Sequence, residues 1–100
     1  PYIPTADLAA LDPEVAGFDP VAALDGGADG LDAYREIAGA VRRVLRPGGW
    51  VVVEVGQGQA SAVTELLQNG FGAANRDRAK VEIWPDLGGI DRCVAVEARI

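Results

Sequence analysis

The chain has 100 residues, 49% of them hydrophobic and 24% charged, and carries a formal net charge of −6. That length supports one hydrophobic core and no second domain. With no histidine and a lone cysteine, Cys93, the sequence excludes a disulfide framework, a His/Cys metal site and histidine-based acid–base or triad chemistry.

Apolar runs such as Trp50–Val53 fall far short of the ~20 residues that a membrane span needs, and no basic n-region precedes an apolar stretch. The sequence therefore predicts no membrane segment and no signal peptide, and the cytosol as its compartment. No methionine occurs, and the chain opens on Pro1-Tyr2-Ile3-Pro4, which reads as a piece of a longer protein. Asp7, Asp12, Glu14, Asp19, Asp25, Asp29 and Asp32 all precede Arg35, the first basic residue. This balance argues against a nucleic-acid-binding face, which needs clustered cations to replace phosphate counterions. An acidic lobe suits either a solvated surface or the steering of a basic partner.

Residues 1–30 carry Pro1, Pro4, Pro13 and Pro20 and turn-forming pairs such as Gly26-Gly27. They predict an irregular excursion, with Thr5 capping a short helical turn over 6–11. Tyr2, Ile3, Leu8, Leu11, Val15, Phe18, Val21 and Leu24 give the excursion enough apolar weight to pack, and a long irregular segment that packs points to function.

From Leu31 the periodicity changes. Tyr34, Ile37, Val41, Val44 and Leu45 form one stripe of an amphipathic helix that begins at Asp29 or Asp32. Arg42, Arg43 and Arg46 complement its C-terminal dipole, and Pro47-Gly48-Gly49 ends it. The β-branched run Trp50–Val55 follows, and its lack of alternation predicts a strand covered on both faces. Gly56-Gln57-Gly58-Gln59 then turns the chain into a helix over 60–68, with Val63, Leu66 and Leu67 inward and Asn69-Gly70 as its stop. Strands over 79–84 and 92–98 are joined by Pro85-Asp86-Leu87-Gly88-Gly89, and the short connection makes the pair antiparallel. Cys93, inside the last strand, reads as a small buried hydrophobe. The order helix, strand, helix, strand, strand is that of an α/β protein.

The Gly56-x-Gly58 loop admits two readings. Glycines between a strand and a helix can cradle a phosphate or nucleotide, with Asp77 as the acid about twenty positions on. The other reading is a strand-to-helix turn that needs glycine for geometry alone, and it is favoured because Ser61 holds the place of the third small residue.

Several blocks recur together: Pro1-Tyr2-Ile3-Pro4, Leu24-Asp25-Gly26-Gly27-Ala28-Asp29-Gly30-Leu31, Leu45-Arg46-Pro47-Gly48-Gly49, Glu54-Val55-Gly56-x-x-Gln59 and Asp86-Leu87-Gly88-Gly89-Ile90-Asp91-Arg92. In this order they resemble the HemK/PrmC-type methyltransferases. These protein-(glutamine-N5) methyltransferases use S-adenosylmethionine and modify the Gly-Gly-Gln motif of bacterial peptide-chain release factors. The Leu-Arg-Pro-Gly-Gly block is common to many class I methyltransferases. The Asp-Gly-Gly block soon after Pro-Tyr-Ile-Pro is far more specific.

The resemblance implies the C-terminal part of a Rossmann-like class I methyltransferase fold, the last three strands of seven. The last strand would be antiparallel and inserted beside Trp50–Val55. Residues 1–100 would be one portion of a single catalytic domain, with 1–30 an acidic excursion on the substrate side and 31–100 the α/β part. Pro1 and Tyr2 match the end of the family's Asn-Pro-Pro-Tyr motif. The Asn side chain and first Pro carbonyl of that motif hold the glutamine amide, while the aromatic residue packs against it. Pro1 and Tyr2 are thus the implied substrate-binding residues. No complete catalytic set, no metal site and no cofactor-binding residue is assigned within the chain. The adenosylmethionine loop and ribose-binding acid would lie upstream of Pro1, and Gly56–Gln59 would follow the fifth strand. The implied partner is a release factor, with no nucleic acid and no membrane, and the edge left open for a fourth strand would favour self-association. The alternatives are an adenine-N6 nucleic-acid methyltransferase, which shares the Asn-Pro-Pro-Tyr chemistry, and a non-catalytic interaction domain.

Overall fold

A computed structural model describes residues 1–11, 20–72, 75 and 79–99. Asp12, Glu14, Val15, Phe18, Asp19 and Asp77, singled out above, lie outside the described residues. The chain forms two compact units, Pro1–Ala33 and Tyr34–Ile100.

In the first unit a 3₁₀ helix spans Thr5–Ala10 and a single helical turn, α1, spans Val21–Leu24. Thr5 does not cap the helix. Pro4 occupies the N-cap with no side-chain cap bond, and the Thr5 hydroxyl donates instead to Asp25. The Thr5 and Asp7 amides already donate to the Gly27 and Pro4 carbonyls, so the hydroxyl is released to bond across the unit.

The second unit is built on α2 (Asp32–Val44), β1 (Trp50–Glu54), α3 (Ala60–Gly70), β2 (Lys80–Pro85) and β3 (Asp91–Glu97). The strands form one open sheet in the order β1-β3-β2, antiparallel throughout. The last strand in sequence is therefore the central one, inserted between β1 and β2 as expected. Its register pairs Val52 with Ala95 on one side and Ala95 with Glu82 on the other. Val94, Ala95, Val96 and Ala98 are fully buried, together with Val63 and Leu67 of α3, Val55 and Phe71. Tyr34, Ala38 and Val41 are the buried positions of α2. The Tyr34 hydroxyl donates to the Glu54 carbonyl at 2.6 Å, fastening the first turn of α2 to the end of β1.

Four local expectations need correction. Val44 is 68% exposed, because α2 stops there and its last turn carries Arg42 and Arg43 outward. β1 is not covered on both faces: Val52 is 52% exposed, and exposure alternates along the strand. The register explains this. Trp50 and Val52 lie in the same cross-strand rows as Lys80, Glu82 and Glu97, and β1 is an edge strand of the sheet, so this face is apolar only in part and open at β1. A β-branched run reports strand propensity and not two-sided burial. Cys93 pairs with Glu54 and Trp84 and is only half-buried. Finally, α3 runs on to Gly70, and the left-handed residue that lets the chain turn away is Gly72, with φ +87°.

The β2–β3 turn is organised by Asp86. Its Oδ1 accepts the amides of Gly88 at 2.8 Å and Ile90 at 3.0 Å, and its Oδ2 lies 3.2 Å from Arg92 Nε. The Asp86 amide donates to the Ile90 carbonyl at 2.8 Å, which closes the hairpin. Among the described residues no helix is long and apolar enough to cross a membrane, and no group of three His, Cys, Asp or Glu side chains is placed to hold a metal ion.

Candidate functional site

Pro1 is exposed and Tyr2 half-buried, at the start of a segment held by backbone pairing. Ile3 forms an isolated parallel bridge with Asp25. The Ile3 amide donates to the Leu24 carbonyl at 3.0 Å, and the Gly26 amide donates to the Ile3 carbonyl at 2.8 Å. The Thr5 amide adds a bond to the Gly27 carbonyl at 2.8 Å. The Pro-Tyr-Ile-Pro segment and the Asp-Gly-Gly block, distant in sequence, thus run side by side.

Glycine is required in that second block. A Cβ on Gly26 would sit 2.7 Å from the Gly30 carbonyl oxygen, closer than real Cβ contacts come. The loop closes through Gly30 N–H to Gly27 O at 3.2 Å and Asp32 N–H to Gly26 O at 3.0 Å.

Asp25 adds a side-chain clasp. Its Oδ1 accepts the Thr5 hydroxyl at 2.7 Å and the Gly27 amide at 3.0 Å. The Thr5 hydroxyl, and next the Gly27 amide, hold the Asp25 carboxyl below its ordinary range against a small upward push from desolvation. At Asp86 the Ile90 amide is the largest influence in the same direction. Desolvation opposes it, and Arg92 and the Gly88 amide reinforce it. A carboxyl whose folded value is depressed contributes stability that is complete above its unfolded value of ~3.9 and is lost as pH falls through the folded value. Carbon-detected NMR titration should therefore place both midpoints below ~3.9. A midpoint at or above that value would contradict these hydrogen bonds.

The glycine loop after β1 folds on itself. The Gly56 amide donates to Gln59 Oε1 at 2.8 Å, and the Gln59 amide donates to the Gly56 carbonyl at 3.1 Å. A cofactor cradle needs open amides aimed outward, and here Gly56, buried, spends its own internally. At Gly56 the loop has the self-bonded form of a strand-to-helix turn.

Sequence reasoning identifies Pro1, Tyr2 and the Asp-Gly-Gly block but misses the link through Thr5 and Asp25. A contact across twenty positions has no local periodicity to announce it.

No protein-family model matches the chain. It is 52% identical over 99 residues to the release factor glutamine methyltransferase of Rhodospirillum rubrum, a match that covers 99% of this chain and 29% of that protein. The corresponding enzyme of Geobacter sulfurreducens is 64% identical over 95 residues, covering 94% of this chain and 31% of that one. The chain belongs to the release factor glutamine methyltransferase family. It corresponds to the C-terminal part of the family's members and spans less than a third of the length of these relatives. The fold agrees: the crystal structure of a release factor-specific protein-(glutamine-N5) methyltransferase from Alicyclobacillus acidocaldarius superposes with a TM-score of 0.56. That superposition has 37% sequence identity and covers 72% of this chain and 42% of the other. The sheet order β1-β3-β2 is accordingly the end of a class I methyltransferase sheet.

Proposed function

We propose that this chain is the C-terminal part of an enzyme that transfers a methyl group from S-adenosylmethionine to the glutamine amide nitrogen in the Gly-Gly-Gln motif of peptide-chain release factors. The observation that carries this reading is the side-by-side pairing of its two most specific sequence blocks, at Ile3 and Asp25, in a chain of high identity to enzymes of that name. An amide nitrogen is a poor nucleophile because its lone pair is delocalised into the carbonyl. Acceptors for its hydrogens restore nucleophilicity, and alignment supplies much of the rate. Adenosylmethionine, held by residues upstream of Pro1, supplies an electrophilic methyl group. In this reading Pro1 shapes the turn at the rim of the acceptor site and Tyr2 packs its ring against the glutamine side chain. The described acidic residues of the excursion, Asp7, Asp25 and Asp29, are candidate contacts for a basic release factor. A cytoplasmic enzyme of translation termination is the corresponding setting.

The outer edge of β1 fits the same reading. With Val55 N–H bonded to Arg92 O and Ala98 N–H to Gly49 O, alternate residues face β3, so Trp50 and Val52 turn their backbone groups outward. No strand among the described residues pairs with that edge. A further strand of the complete enzyme belongs there, and in its absence a second copy of this chain takes the place.

The test is methyl transfer by the full-length enzyme, with isotopically labelled adenosylmethionine offered a release factor, the same factor lacking the motif glutamine, and DNA. Label on the glutamine of the intact factor alone is the expected result. Tyr2→Ala should lower kcat by about 10–100-fold through lost alignment. Label on DNA adenine would overturn the substrate class, and an unchanged Tyr2→Ala rate would remove Tyr2 from the site.

A further inference from the structure

We propose that Asp25 is a positioning residue for methyl transfer, clasping Thr5 and Gly27 so that the segment beginning at Tyr2 is held in one place. The inference rests on the reading of Tyr2 as the rim of the glutamine site.

Tyr2 is bonded directly to Ile3, and Ile3 is the residue whose amide and carbonyl are both engaged, by Leu24 and Gly26. Its position is therefore as well defined as the strand-like segment 24–27 that it pairs with. A single isolated bridge is weak by itself, because a short pair of segments slips in register unless something pins it. Asp25 supplies the pin. One carboxylate oxygen takes a bond from each segment: the Thr5 hydroxyl from the first and the Gly27 amide from its own loop. Thr5 lies two residues beyond Ile3 and Gly27 two beyond Asp25, so the clasp closes the ladder that the Ile3–Asp25 bridge opens. A slip by one residue would separate the hydroxyl from the carboxylate.

The loop that carries Asp25 is itself stiff. Gly26 has no room for a side chain, and Gly27 and Gly30 hold φ values of +87° and +79°, which other residues reach only at a cost. Asp25 thus transmits the geometry of a rigid loop to a proline-bounded segment, Pro1–Pro4, that has few internal hydrogen bonds of its own. Reaction rate depends steeply on such placement, and a misplacement of about 1 Å can cost roughly 100-fold. Binding of a whole release factor, by contrast, is spread over a surface much larger than this rim.

The experiment uses the full-length enzyme with a release factor as substrate. Asp25→Ala should lower kcat by about 10–100-fold and change KM for the factor by less than about 3-fold. Asp25→Asn keeps an oxygen acceptor for both donors and should recover most of the lost kcat. Thr5→Val should give part of the same loss, and the double variant Thr5→Val/Asp25→Ala should be no slower than Asp25→Ala. Misfolding lowers active-site content and so lowers apparent kcat while also sparing KM. The kcat is therefore expressed per adenosylmethionine site counted by titration, with thermal melting of each variant as a check on the fold. A loss that vanishes on this normalisation would overturn the positioning role.

An unchanged kcat in Asp25→Ala, a loss carried by KM, or no recovery in Asp25→Asn would each overturn the positioning role while leaving the enzyme's function intact. Absence of transfer to the factor by the unsubstituted enzyme would overturn the functional reading, and this inference with it.

Discussion

Phe71→Ala is expected to destabilise the chain by about 3–5 kcal/mol, in the range observed when a large core aromatic is truncated. Phe71 heads the fully buried side chains and is placed immediately after α3. Its backbone is committed on both sides. The amide donates to the Gln68 carbonyl at 3.2 Å, and the carbonyl accepts from Asn75 Nδ2 at 3.3 Å. The cavity cannot easily collapse, because the other core side chains, such as Leu67 and Val94, lie on regular elements whose positions are set elsewhere. A loss of this size is a large share of the total stability of a small domain. Leu87→Ala is the matched control. Leu87 is completely exposed in the β2–β3 turn, and its truncation should move stability by no more than about 0.5 kcal/mol. Urea unfolding with a common m-value reads both. A Phe71→Ala loss under about 1 kcal/mol would mean that the ring is not part of the core.

The elements of the second unit are legible in the sequence to within a residue or two, because each carries its own local cause, whereas the single turn at Val21–Leu24 is not. The i, i+3, i+7 stripe of α2, the β-branched run of β1 and the Pro-Gly-Gly stop between them are local patterns, and local patterns survive tertiary context. The insertion of β3 beside β1 is a different matter. It pairs Val52 with Ala95, and nothing in either segment's own pattern selects that partner. That topology is available only through the resemblance. Burial on the second face of β1 is misread for a related reason, since the edge position of β1 and the residues sharing its rows, Lys80, Glu82 and Glu97, are set by other strands.

The candidate site divides in the same way. Pro1 and Tyr2 are legible as motif residues, and the glycines of the 24–30 block as turn residues. What joins them is a parallel bridge and a carboxylate–hydroxyl bond spanning twenty positions. Thr5 reads locally as a cap because helix N-termini favour threonine, a preference of roughly 1 kcal/mol that one good hydrogen bond to a carboxylate can outweigh. Asp25, within a Gly-rich turn, gives no sign of a distant partner.

Two glycines in helices test how far packing overrides propensity, since the same substitution should have opposite effects at each. Gly39 lies in α2, where a Cβ would meet nothing within 4 Å, so Gly39→Ala should stabilise by about 0.5–1 kcal/mol through backbone entropy and helix propensity. Gly70 closes α3 with an ordinary helical φ, so no left-handed conformation accounts for it. A Cβ there would collide with the Ala38 carbonyl oxygen of α2 and come within 2.8 Å of Val41 Cγ2. The carbonyl belongs to a helical backbone and cannot rotate away, so α2 and α3 must separate. Overpacking of this kind costs about 1–3 kcal/mol, which exceeds the propensity gain. Gly70→Ala should therefore destabilise, and because the propensity gain is common to both sites the two variants should differ by the overpacking cost, about 1–3 kcal/mol in unfolding free energy. Equal stabilisation by both substitutions would show that α2 and α3 do not approach through Gly70, and that the ends of the two helices pack elsewhere.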